Sequence, residues 1–410
     1  MTTESTVAEE RDPFEAFEQA QAGGVRNPYP EWAEMLRRAP VHEIDLREQY
    51  DLPEDMELPD LPRAYMVLSY DGVTQVLRDP VTFSSSYYAD TMGMVFGHSI
   101  LEMDEPEHHH YRGLIQQAFT KKALDRWQDS LVRPMVESIV DEIAARGHGD
   151  LVRELTFPFP VRVIAGMLGL PASDLAQFHR WAVELISVGF DFEVGMAASQ
   201  KLRDYFASVL APRRVEPQDD LISVLAHASL DGRVLDDEQI FAFLRLLLPA
   251  GAETTYRSSS NLLFGLLTQP DQLAALEADR SLLPQAIEEA IRWEPPLTGI
   301  ARWSTHDVSV DGVPIGAQSV INVCMGAANR DPKRWERPDE FDILRPQQQH
   351  VSFALGPHTC LGMHLARMET TVAMETILDR LPKLRLDPTA DDVHIRGRAF
   401  RSPPSLPVVC

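Results

Sequence analysis

Cysteine is nearly absent from this sequence: Cys324, Cys360 and Cys410 are the only three in 410 residues. Three is odd and far too sparse for a disulfide framework, so cross-linking is excluded as the basis of stability and a reducing compartment fits. No run of about twenty apolar residues occurs, which excludes a membrane-anchoring helix. The acidic start MTTESTVAEERD lacks the apolar stretch of a secretory signal. Positive charge is also scarce. Lys and Arg number 38 against 62 Asp and Glu, a formal net charge of −24, and nucleic-acid binding needs a basic face, so that class is excluded. No cysteine cluster or Gly-rich phosphate loop marks a flavin or iron–sulfur site. With 44% hydrophobic and 24% charged residues, the balance is that of an ordinary folded protein. A soluble, cytoplasmic chain is the expectation.

Residues 1–13 are expected to fray, and residues 14–410, which show no repeat and no linker, to form one large domain. The pattern predicts a helix in NPYPEWAEMLRR, strands in APVHEIDL and RAYMVLSY, and a helix in YDGVTQVLRDP. Between the two strands REQYDLPEDMELPDLP carries six acids and three prolines, so it reads as an exposed loop. From about residue 105 to 295 apolar residues recur three and four apart, the period of helices. One long helical pattern starts at Asp236, a natural N-cap with Gln239 in the capping-box position. Reaching Leu267, it would span about 48 Å. Further helices are expected at LLPQAIEEAIRWE and from Leu361 through LGMHLARMETTVAMETILDRL, with short strands at VSVDGVPI, SVINVCM and the chain's end. The fold class is therefore mainly α with a minor β region, an α+β chain of one domain.

FALGPHTCLG, Phe353 to Gly362, is the stretch richest in chemistry. Cys360 directly precedes a helical run, whose first N–H groups favour a thiolate. Gly356 and Gly362 allow turns and close approach that a Cβ would block, and Phe353 is placed to cover the sulfur. Such a thiolate is a haem axial ligand. A buried, inert cysteine is the alternative, and Cys324 and Cys410 are read that way.

The segment resembles the haem-binding loop of the cytochrome P450 family, and distant segments agree. Glu289 to Arg292 matches the family's ExxR helix, in which residues three apart share a face and can pair. ANRDPKRWERPDEFDILRP resembles the irregular meander in which Arg345 joins that pair. Ala250 to Thr255 resembles the AGxET signature of the oxygen-activating helix. There the Gly251–Ala252 pair opens space, Thr254 can return its hydroxyl to the carbonyl of Ala250, and Pro249 has no N–H for Arg245. The predicted outcome is a kinked central helix over the haem. His108 and Arg112, in EPEHHHYRG, resemble the family's HxxxR pair for haem propionate, with Arg302 and His358 as further donors. A metal site in the histidine triplet is poor geometry, because consecutive helical residues diverge. Two departures stand out: Ala354, where the family more often has Gly, and Glu253, where many bacterial members carry Asp.

The resemblance implies a haem b monooxygenase. It would use O2 to oxidise a C–H bond, with Glu253 and Thr254 as an acid–alcohol pair relaying protons. Electrons would come from NAD(P)H through a reductase and a separate ferredoxin or flavodoxin. Lys121, Lys122, Arg126 and Arg367 are candidate docking cations, a solvated helix face being the alternative. The chain is expected to be a monomer. Met94, Phe96, Val188, Leu246, Leu297, Thr298, Ile300 and Phe400, with the haem-facing Ala250, are candidates for an apolar substrate pocket. Tyr87, Tyr88 and Thr298 are candidates to hydrogen-bond one polar group. Terpenoid, steroid, fatty acid, aromatic and polyketide substrates all remain open. A peroxide-using enzyme of the same fold and a haem-thiolate sensor or carrier are the competing readings.

Overall fold

Asp236 caps the helical run that organises the molecule. Its side chain accepts from the N–H of Gln239 at 2.8 Å, and Gln239 accepts from the N–H of Asp236 at 2.8 Å, a reciprocal cap worth about 1 kcal/mol. In this computed structural model, which describes residues 25–49, 61–186, 188 and 191–410, the run is one path in three pieces. An α-helix spans Asp237–Leu248, a π-turn Pro249–Glu253, and a second α-helix Thr254–Thr268. The break falls where Pro249 lacks its N–H and where Thr254 Oγ1 donates to the carbonyl of Ala250 at 2.7 Å. Two independent defects in the i→i−4 ladder thus coincide, which is how π-bulges and bends arise.

Around this axis pack helices that include Glu107–Gln116, Arg133–Arg146, Pro158–Met167, Leu175–Ile186, Phe192–Val215, Leu283–Trp293 and Met363–Arg380. Their apolar faces form the main core, with Leu244, Leu248, Leu262, Val140 and Ile377 fully buried. The smaller β region has its own core. Strands β1 (Val41–Ile44), β2 (Ala64–Val67), β3 (Phe83–Ser84), β4 (Gly299–Ser304) and β5 (Val320–Cys324) form a sheet in the order β1-β2-β5-β4-β3. The β2–β5 pair is parallel, with Val320 opposite Ala64, and the others are antiparallel. The chain is thus predominantly helical with small sheets, as its periodicity predicts.

Two expectations fall partly or wholly outside the described residues. The frayed tail, 1–13, lies outside them. The acidic loop is described only at its margins, where Leu46–Gln49 is a short helix. One boundary is corrected: the last long helix begins at Met363, not Leu361.

Candidate functional site

The loop holding Cys360 is built by three local constraints. The N–H of Ala354 donates to Val351 O at 2.9 Å and that of Cys360 to Phe353 O at 2.8 Å, so the chain doubles back under the sulfur. Ala354 sits at φ +54° and Gly356 at φ +73°, the left-handed region that glycine adopts without strain. A Cβ on Gly356 would lie 2.6 Å from the carbonyl oxygen of Leu77. That glycine lets the loop seat on the end of helix Tyr70–Arg78. Gly362 is different: no described protein atom lies within 4 Å of a Cβ built there. Although solvent reaches the Cys360 side chain, the surrounding protein still pushes its pKa up. The N–H of Gly362, Arg112, Arg367 and the N–H of Met363 act the other way. Helix-start stabilisation is present but outweighed by desolvation. The Phe353 ring lies under the Arg367 guanidinium, 4.7 Å from its centroid.

Beside the thiol a group of cationic and donor side chains converges from three segments. The rings of His108 and His358 stack with centroids 3.9 Å apart. Ser85 Oγ lies 3.1 Å from His358 Nε2, and Arg112 donates to Thr359 O at 2.6 Å. The Nε2 of His108 is buried and unpaired. Arg302 is buried, donating to the neighbouring Ala301 O at 2.8 Å. Burial, with His108, Arg302 and Arg112 adding to it, drives the His358 pKa down to about 3. It also lowers those of His108, Arg112 and Arg302. Neither arginine has an ion-paired carboxylate among the described residues. Arginines without a carboxylate partner, beside the orphaned His108 Nε2, call for an anion from outside the chain. The two carboxylates of a haem fit that demand, and the neighbouring Cys360 thiol is the group that would ligate its iron.

On the central helix, Glu253 and Thr254 diverge. Thr254 donates to Ala250 O, whereas the buried Glu253 carboxylate accepts from Arg257 Nη2 at 3.0 Å and Nε at 3.3 Å. Arg257 in turn donates to Ser402 Oγ at 2.9 Å. Consecutive helical residues point about 100° apart, so the acid and the alcohol hold separate partners here. A Cβ on Gly251 would lie 3.2 Å from Ile164 Cδ1, on helix Pro158–Met167, while Ala250 is exposed.

Glu289, Arg292 and Arg345 meet in a buried cluster. Arg292 binds Glu289 bidentately, at 2.7 and 2.8 Å, and Arg345 Nε donates to Glu289 at 3.1 Å. The remaining N–H groups of both arginines fasten backbone carbonyls of the 329–345 segment, Asn329, Pro338 and Glu340 for Arg292 and Arg337 and Glu340 for Arg345. Sequence reasoning missed the adjacent Glu288, which holds Arg367 at 2.6 and 2.7 Å and lies 3.2 Å from His350. It missed Ser85 and Arg257 as well. Only Arg257 left a readable signal, its i,i+4 spacing from Glu253.

The docking candidates are mostly neutralised. Lys121 pairs with Asp125 and Arg126 with Asp219, while Arg367 is spent on Glu288. Lys122 alone of the four has no acidic partner among the described residues. Of the pocket candidates, Met94 is 57% exposed, Phe96 and Leu246 are buried, and Val188 and Ile300 are half-buried. Leu297 bridges Phe400. Two of the polar candidates already have partners within the chain. Thr298 donates its hydroxyl to Arg398 O at 2.7 Å, and Tyr88 Oη accepts from the N–H of Ala301 at 2.8 Å, because each fixes a chain crossing.

Residues 188–406 match the family model described as Cytochrome P450. Cytochrome P450 107B1 of Saccharopolyspora erythraea is 34% identical over 402 residues, 93% of each chain. The Steroid C26-monooxygenase of Mycolicibacterium smegmatis is 37% identical, covering 83% of this chain and 86% of its own. The crystal structure of CYP109E1 from Bacillus megaterium in complex with testosterone superposes with a TM-score of 0.83 at 31% identity, over 93% of this chain and 99% of that one. A thiol loop, a donor cluster for two carboxylates and a broken central helix, carried on a chain this similar throughout, make the protein a member of the cytochrome P450 family.

Proposed function

We propose that this chain oxidises a C–H bond of an apolar small molecule, with protons relayed through Thr254 and Glu253 and electrons delivered by a ferredoxin or flavodoxin. The coarser statement holds from family membership: the chain is an oxidoreductase of the P450 monooxygenase class, with haem b and O2 as cofactor and co-substrate. Bound haem supplies the iron that binds and reduces O2. Cys360 would hold that iron through its thiolate. His108, Arg112, Arg302 and His358 would receive the carboxylates. A cytoplasmic monomer is part of the proposal; no helix among the described residues is long and apolar enough to cross a membrane.

The observation that carries the reading is the Thr254 hydroxyl bonded to Ala250 O at 2.7 Å inside the π-turn. The hydroxyl donates backwards, so its lone pairs face the opened turn and can accept a proton donor there. Glu253, one residue away, is the acid that can recharge it once the carboxylate swings from Arg257. Thr254→Ala tests this directly. The expected result is continued NADPH consumption with reducing equivalents released as hydrogen peroxide and little product. Unchanged coupling would refute the relay, and efficient turnover with peroxide alone would favour a peroxygenase. Loss of the reduced, carbon monoxide-bound spectrum in Cys360→Ala tests the ligand.

A further inference from the structure

Six arginines are buried among the described residues. Four have a buried glutamate: Arg257 has Glu253, Arg292 and Arg345 share Glu289, and Arg401 has Glu294. Two have no carboxylate within ion-pair distance, Arg302 and Arg245. The first stands in the cluster that fits the haem carboxylates. Arg245 shows the same signature in a different place, where the haem donors are not.

Arg245 lies on helix Asp237–Leu248, where the segment Met92–Gly97 and helix Phe192–Val215 cross it. Its Nε donates to Phe241 O at 3.2 Å and its Nη1 to Ser199 Oγ at 3.0 Å. Ser199 gives its own proton to Val95 O, so it can only accept from the guanidinium. Of five N–H groups, three have no acceptor among the described residues. The Nη2 edge faces Gly97, which sits at φ +86°, and a Cβ there would lie 2.8 Å from Nη2. Any larger residue at this point would crowd that edge. Burial lowers the Arg245 pKa from its usual value. Only Glu238, itself held by Arg203, opposes the fall. A guanidinium so placed carries a desolvation penalty that one hydroxyl and one carbonyl do not offset.

We infer that Arg245 receives a carboxylate carried by the substrate. The substrate is then an apolar molecule with a single acid group, held far from the carbon that is oxidised. Arg245 precedes Thr254 by nine residues, about 13 Å along the helix axis, and Leu246 and Ala250 lie between. The inference rests on the monooxygenase reading and narrows its substrate class to apolar carboxylic acids.

The test uses the ferric holoprotein and the displacement of its Soret band. Dodecanoic, hexadecanoic and abietic acids are each titrated against their methyl esters. At least one acid is expected to bind about tenfold more tightly than its ester, the ratio of one charge-assisted hydrogen bond. That preference is expected to vanish in Arg245→Met and to persist in part in Arg245→Lys. Gly97→Ala, whose methyl group crowds Nη2, is expected to weaken it as well and serves if Arg245→Met does not fold. No acid preferred over its ester by the wild type would overturn the inference, as would a preference unchanged in the variants. The reduced carbon monoxide spectrum is recorded first: its absence sinks the monooxygenase reading, whereas a normal spectrum without acid preference sinks only this assignment.

Discussion

Replacing Glu288 by Gln removes the one carboxylate that ties the helix Leu283–Trp293 to Arg367, whose guanidinium lies over Phe353 in the thiol loop. Burial alone would raise the Glu288 pKa, but hydrogen bonds from Arg367 and His350 and their charges bring it from 4.5 down to about 2. A folded pKa below the unfolded one means that the carboxylate stabilises the fold above pH 4.5. That contribution is lost as pH falls from 4.5 towards 2. At about 1.4 kcal/mol per unit the ceiling is about 3.4 kcal/mol. The Glu288 side chain is 25% exposed and Arg367 32%, so solvent screening brings the expected loss to about 2 kcal/mol. Urea unfolding followed by tryptophan fluorescence checks it. Glu288→Gln should unfold at lower urea than wild type at pH 7, and the gap should narrow below pH 4.5. Equal midpoints at pH 7, or a gap that ignores pH, would refute the reasoning.

Ala354→Gly should stabilise the thiol loop by about 0.5–1 kcal/mol. It relieves a left-handed alanine costing about 1–2 kcal/mol, less the entropy glycine adds to the unfolded chain; haem retention during urea titration reads it. Gly356→Ala should do the opposite, since its methyl group meets the Leu77 carbonyl at 2.6 Å, and the measurable outcome is a lower fraction of haem-loaded protein after expression. Arg257→Met removes a buried ion-pair partner of the Glu253 carboxylate, a loss of about 3 kcal/mol. Adding Glu253→Gln should restore much of that stability, as a double-mutant cycle in thermal unfolding would register.

What the sequence made legible is what local spacing encodes. The capping box at Asp236 and Gln239, the i,i+3 pair of Glu289 and Arg292 and the turn-rich stretch before Met363 each lie within a few residues. Their physics is therefore written in the chain order. The π-turn was legible for the same reason, since Pro249 and Thr254 each spoil a named hydrogen bond. Partners brought together only by folding were not. Ser85 meets His358 across 273 positions and Arg257 meets Ser402 across 145. Nothing near Thr298 announces that its hydroxyl will be taken by the carbonyl of Arg398. The candidate docking cations divide the same way. Asp125, four residues from Lys121, was legible, whereas Asp219 meets Arg126 only through the fold.

The parallel pairing of Ala64–Val67 with Val320–Cys324 joins two strands about 250 residues apart. Closing so long a loop is entropically costly, and such contacts form late. On a ribosome the first strand waits, with an unpaired edge, until most of the polypeptide has emerged. His108 and Arg112 precede the second strand and Cys360 follows it, so the candidate haem donors come together only once both strands have been made. Assembly of that candidate seat is therefore tied to the closure of one long-range pairing.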